Sequence, residues 1–198
     1  MKQKLIITLF SLIMFNPIAV NASEGITIGQ QVINAFARTC LSHIWRPDEL
    51  KVKLKPGNSL HLRKLPEKMA QDFLGKHSGD GWFLPKSFGH GIMLLNDLGE
   101  CTFIISKWKE LDFASKLKKM FKELAIYSLK EIKRTDGPKA AITWALFPVG
   151  DHKRKIEAEN LGAGIPSLIL QLFIPSKPEG RGTFVLSLAK PRFGEKTK

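Results

Sequence analysis

Two cysteines in segments of different periodicity constrain this chain more than any other feature of its sequence. Cys40 belongs to a helical stripe in which Ile28, Val32, Ile33, Phe36, Ala37, Cys40, Leu41 and Ile44 share one face. Thr27 and Gln30 have capping-box spacing at its start, and Pro47 marks its end. Cys101 lies in a strand-like run in which Cys101, Phe103 and Ile105 alternate onto one face. Both sulfurs are therefore directed at the same core. A bridge between them closes a loop of about 60 residues, worth roughly 4 kcal/mol in the chain-entropy account.

Whether the sulfurs pair depends on compartment. Lys2 and Lys4 precede an apolar run at residues 5–15, Pro17 interrupts it, and Val20-Asn21-Ala22 supplies small residues at the −3 and −1 positions of a cleavage site. This is the three-part pattern of a secretory signal, with cleavage after Ala22 and a periplasmic or secreted destination. The apolar run is short for a membrane span, and no later stretch reaches 18 apolar residues. In an oxidising space the two cysteines are expected to form a disulfide. That removes Cys40 as a nucleophile served by His43, one helical turn away. A c-type haem site is excluded because Cys40-Leu41-Ser42-His43 lacks a second cysteine.

The remainder, residues 23–198, reads as one α+β domain with about three helices and a mainly antiparallel sheet of about five to six strands. A second helix is expected over residues 65–75, with Met69, Ala70, Phe73 and Leu74 on its buried face and Gly75 as its stop. A glycine-rich connection around Gly79, Gly81, Gly89 and Gly91 follows, with Trp82-Phe83-Leu84 as a candidate short strand. A hairpin turns at Asn96-Asp97-Leu98-Gly99. The third helix carries Phe113, Ala114, Leu117, Met120, Phe121, Leu124 and Ala125 at helical spacing. Strands are expected at residues 127–133, 141–147, 168–174 and 184–189, the third covered on both faces because only Gln171 breaks its apolar run.

The chain holds 31 Lys+Arg against 18 Asp+Glu. Residues 107–134 carry nine Lys+Arg and four acids, and the C-terminal stretch 177–198 carries six and two, including a basic tail at about 190–198. Lys116, Lys118, Lys119 and Lys122 lie away from the apolar face of the third helix. Such clustering reads either as a solvated helix face that aids solubility or as a docking surface for an acidic protein or an anionic envelope component. Nucleic acid is not expected, since no reading motif accompanies the charge and Trp45, Trp82 and Trp144 stand in apolar settings. His43, His61, His77, His90 and His152 show no metal-ligand spacing, and no cofactor motif occurs. There is no Gly-x-Ser-x-Gly elbow, and Pro166 makes Gly162-Ala163-Gly164 a turn and not a phosphate loop.

The combination of Cys40-x-x-His43, Leu65-Pro66 with Ala70 and Phe73-Leu74, Gly81-Trp82, Gly91 and Cys101 resembles an uncharacterised family of small secreted proteobacterial proteins with a two-cysteine pattern. The resemblance covers about residues 36–105. It implies an envelope location and supports the pairing of Cys40 with Cys101, and it brings no activity and no site residue. The favoured expectation is a non-catalytic periplasmic binding or accessory protein with Lys116, Lys118, Lys119 and Lys122 as its docking face. The alternative is an envelope hydrolase using His77, Asp80 and His90 in the glycine-rich loop.

Overall fold

A seven-stranded antiparallel sheet, with α-helices packed on both of its faces, organises the computed structural model of this chain. It describes residues 27–58, 60, 62–88, 90–106, 112–136, 139–150, 167–175 and 183–191. The expected leader at residues 1–22, the tail beyond 191, His61, His152, Gly89 and the turn at 162–166 lie outside the described residues.

Four α-helices and seven strands are described. They are α1 (Ile28–Phe36), α2 (Pro47–Lys53), α3 (Glu67–Leu74), β1 (Gly79–Phe83), β2 (His90–Asn96), β3 (Cys101–Ser106), α4 (Phe113–Leu124), β4 (Tyr127–Thr135), β5 (Lys139–Pro148), β6 (Leu168–Pro175) and β7 (Thr183–Ala189). The α+β class with a single disulfide stands, while the strand count rises from five or six to seven. The additional strand is β1, expected only as a short candidate at Trp82-Phe83-Leu84; it begins earlier, at Gly79, where the glycines at 79 and 81 read as a connection. Gly81 is needed there for packing: a Cβ on it would stand 2.5 Å from Leu65 Cδ1 and 3.1 Å from Leu94 Cδ2. The extra helix is α2. Pro47 ends the first helical stretch and also opens the next, because a missing N–H costs nothing at a first helical position.

The strand order β1-β2-β3-β7-β6-β5-β4 reveals two meanders. After β3 the chain crosses the sheet through α4, enters the far edge at β4, and works back until β7 inserts beside β3. The outer edge of β1 is met by residues 63–65, with Leu65 N–H donating to Gly81 O and Phe83 N–H to Arg63 O. The β4 edge instead carries exposed Lys130, Lys133 and Arg134 and a bulge between Glu131 and Lys133, features that discourage pairing with another strand. The turn at 96–100 is held by Asn96 Oδ1, which accepts from the N–H groups of Leu98 and Glu100, and Gly99 supplies the positive φ of 76°.

One face of the sheet, with Met93, Phe103, Phe184, Leu186, Leu170 and Trp144, packs under α1, α2 and α4 and forms the main core. Phe36 meets Phe103 edge-on at 5.5 Å, and Phe113 meets Phe184 at 4.7 Å, anchoring α1 and the start of α4. On the opposite face α3 contributes a smaller cluster of Leu65, Ala70 and Leu94. There the helix docks lightly. Ala70 is buried, but Met69 and Phe73 are 41% and 52% exposed, against expectation. β6 also departs from its predicted double coverage, since Gln171 and Phe173 are exposed on that face. Ile28 and Leu124, counted on apolar helix faces, lie at helix ends and are exposed as well.

Cys40 and Cys101 form the disulfide, with Cα atoms 5.4 Å apart and both residues fully buried. Cys40 lies in a π-helical turn (Ala37–Leu41) that continues α1, and Cys101 opens β3. The bridge thus joins the helical layer to the middle of the sheet. Thr27 Oγ1 caps α1 by accepting from Gln30 N–H, but the Gln30 side chain donates to Asn34 and does not return to Thr27.

Candidate basic docking face

Helix α4 forms because Phe113, Leu117, Met120 and Phe121 recur at helical spacing and bury one stripe against the sheet. It stops where Ala125 takes a left-handed conformation at φ 49°, and the chain turns into β4. The four expected lysines are not equivalent. Lys118, Lys119 and Lys122 are exposed, whereas Lys116 is half-buried and bridges Asp112 at 3.4 Å and Thr27 Oγ1 at 3.3 Å. Lys116 therefore ties α4 to the start of α1 and belongs to the scaffold. Lys119 pairs with Glu123 at 3.8 Å along the exposed helix surface, a contact worth little in water.

Lys118 and Lys122 overhang a cleft of about 550 Å³ between α4 and the β4–β5 hairpin. Phe121, Leu129, Trp144 and Val149 supply its apolar lining, and Tyr127, Ser128 and Glu131 add polar groups. The Lys118 ammonium lies 5.8 Å from the centroid of the Trp144 ring and 3.6 Å from Glu131. Glu131 also accepts two bonds from Arg134, at 2.7 and 2.9 Å. These Arg134 hydrogen bonds, against some desolvation and with help from the Arg134 and Lys118 charges, hold its carboxyl below the ordinary range. Burial raises the Tyr127 phenol above its usual value, although Trp45 and Ser167 hydrogen-bond to it. Trp144 is fully buried, and its Nε1–H has no hydrogen-bond acceptor among the described residues. Lys118 is shared with Glu131, whereas Lys122 has no carboxylate partner among the described residues, so this overhang keeps donor capacity that the chain's own acids do not use. It is suited to an incoming carboxylate.

The residues of the hydrolase alternative are not brought together. His77 precedes β1 and lies 3.8 Å from Asp97 at one end of the β1–β2 hairpin, while His90 begins β2 at the other end. Asp80 is turned to the helical side and held by Lys64 at 2.6 Å and Lys51 at 3.4 Å. Its partial burial opposes ionisation, but the Lys64 hydrogen bond and the charges of both lysines outweigh this and lower its pKa below 3.8. His43 is occupied too. Its Nδ1 meets Thr39 O at 3.0 Å, so that nitrogen donates, and its Nε2 accepts from Lys53 Nζ at 2.9 Å. Neither bond involves Cys40.

Sequence reading did not connect Glu131, Arg134 and Trp144 with α4, because their proximity follows from β4 entering at the sheet edge directly after the helix. The signal available was the apolar Trp144 within a strand whose neighbour carries alternating charges. One cation of the C-terminal stretch has a local role: Lys190 lies 4.8 Å from the centroid of the Trp45 ring. No known protein family, no curated protein and no solved structure matches this chain.

Proposed function

We propose that the protein is a non-catalytic binding or accessory protein of the cell envelope, which docks an acidic protein or another anionic envelope component through the exposed face of α4. The observation that carries this reading is the cleft under Lys118 and Lys122, where two exposed cationic side chains stand over an apolar lining of Phe121, Leu129, Trp144 and Val149. Lys119 extends the same exposed helix surface, and Lys116 is reassigned to the scaffold. Residues 1–22 support export to the periplasm or beyond, with cleavage after Ala22. The disulfide fits that address, and among the described residues no helix is long and apolar enough to cross a membrane.

Rigidity is part of the proposal. A docking face made of long lysine side chains gains specificity only when its backbone is fixed. Here α4 is fixed by Phe113 against Phe184 and by Phe121 in the main core. The test is binding of the mature protein to an immobilised peptide rich in Glu and Asp, with salt raised from about 50 to about 300 mM. The expected result is at least a tenfold loss of affinity across that range. Binding that is indifferent to salt contradicts the proposal.

A further inference from the structure

On the opposite face of the sheet from α4, a groove of about 720 Å³ opens between α3 and the ends of β1, β2, β3 and β7. Its polarity is graded along the strands. The outermost rung is polar: His90, Ser106 and Thr183 stand opposite one another across β2, β3 and β7. Two residues further in, on the same face, the rung is apolar, with Phe83 opposite Ile92 and Ile92 opposite Ile104. The half-exposed Phe73 of α3 closes the inner side. At the rim stand Lys86 and Arg63, the latter with its guanidinium 4.3 Å from the centroid of the Phe83 ring.

Arg63 and Lys86 line this groove, and no Asp or Glu among the described residues does. Arg63, Lys86 and His90 have no ion pair with any carboxylate among the described residues. That contrasts with Lys118, Lys51 and Lys64, each of which is answered by an acid. A concave space of this size belongs to the range of small-ligand sites. Apolar lining on the inside with unanswered cations at the rim calls for a ligand with an apolar body and one anionic end.

We propose that this groove binds a free single-chain fatty acid, its carboxylate at the Arg63–Lys86–His90 rim and its chain along Phe83, Ile92 and Ile104 toward Phe73. The site is separate from the α4 face and does not depend on it. A bidentate guanidinium is well matched to a carboxylate, and exposed aromatic and aliphatic side chains gain from covering by methylenes.

Calorimetric titration of the mature protein with dodecanoate, octanoate and dodecyltrimethylammonium, all below their micelle concentrations, tests the proposal. Dodecanoate is expected to bind saturably and at least tenfold more tightly than octanoate, since each buried methylene is worth up to about fourfold. The cationic twin of equal chain length is expected to bind at least tenfold more weakly. The Arg63→Glu/Lys86→Glu variant is expected to lose at least tenfold for dodecanoate, and Phe73→Gln, at an exposed position, at least threefold. Lys118→Glu/Lys122→Glu is expected to leave dodecanoate binding unchanged, which separates this site from the docking face. Absence of saturable dodecanoate binding, equal binding of the cationic twin, or an Arg63/Lys86 variant with undiminished affinity overturns the proposal. The head-group comparison uses the unaltered protein and stands whether or not a variant folds.

Discussion

Cys40 in the π-helical turn after α1 is joined to Cys101, the first residue of β3, across 61 residues of sequence. The loop so closed contains α2, α3, β1 and β2, so the bridge limits the unfolded chain over more than a quarter of its length. In the chain-entropy account this is worth about 4 kcal/mol. Reduction of the protein, or the Cys40→Ala/Cys101→Ala pair, is expected to lower the free energy of unfolding by about that amount. Urea denaturation with and without reductant measures it, and an unchanged midpoint contradicts the assignment of the bridge as a principal staple.

Asp80 gives the fold a pH dependence. Its carboxyl is held below its ordinary 3.8 by Lys64 and Lys51 against partial burial, so the folded state binds that proton less readily than the unfolded state does. The resulting stabilisation is fully present above the unfolded value and disappears as pH falls through the lower folded value. Asp80→Asn is expected to cost about 1 kcal/mol at neutral pH, a modest figure because Lys64 is exposed. The difference from the native protein should close only below pH 3.8, as followed by chemical denaturation across the acid range. A constant difference throughout would contradict the role given to the two lysines.

Gly81 is the point where the small cluster under α3 meets the sheet. A methyl at this position would come within 2.5 Å of Leu65 Cδ1 and 3.3 Å of Ala70 Cβ. Gly81→Ala is expected to destabilise the fold by roughly 1–3 kcal/mol through overpacking. The loss should appear as a lowered Tm. Gly75→Ala serves as a comparison of another kind: a methyl there would meet nothing within 4 Å, and the φ of +62° makes the cost one of backbone strain. If Gly81→Ala leaves stability unchanged, α3 is not held by this contact.

Much of the scaffold was legible because hydrophobic period and chemistry agreed. The alternation at Cys101, Phe103 and Ile105, the stripe of α4 and the two cysteines each pointed to one core. What escaped the sequence had physical causes. Glycine-rich β1 carries few of the side chains that mark strands, and Gly81 is there for close packing. Met69 and Phe73 follow a helical stripe, yet α3 meets the sheet only along Ala70 and Leu74, leaving the outer pair exposed. Spacing in sequence placed His77, Asp80 and His90 in one loop, but a hairpin strand carries its two ends apart. The charge of α4 was visible as composition. Its division into a structural Lys116 and an outward-facing Lys118, Lys119 and Lys122 needed the position of Asp112, Thr27 and β4.

The claim on which the functional reading rests is that the position of the positive charge matters, and not only its amount. Binding of the mature protein to a fluorescent Glu- and Asp-rich peptide should therefore be compared for two variants of equal net charge. One is Lys118→Glu/Lys119→Glu/Lys122→Glu, and the other reverses the exposed lysines at 55, 68 and 76. The account predicts at least a tenfold loss of affinity for the α4 variant and no more than about a twofold loss for the other. Equal losses in both would show attraction to net charge alone and would contradict a docking face on α4.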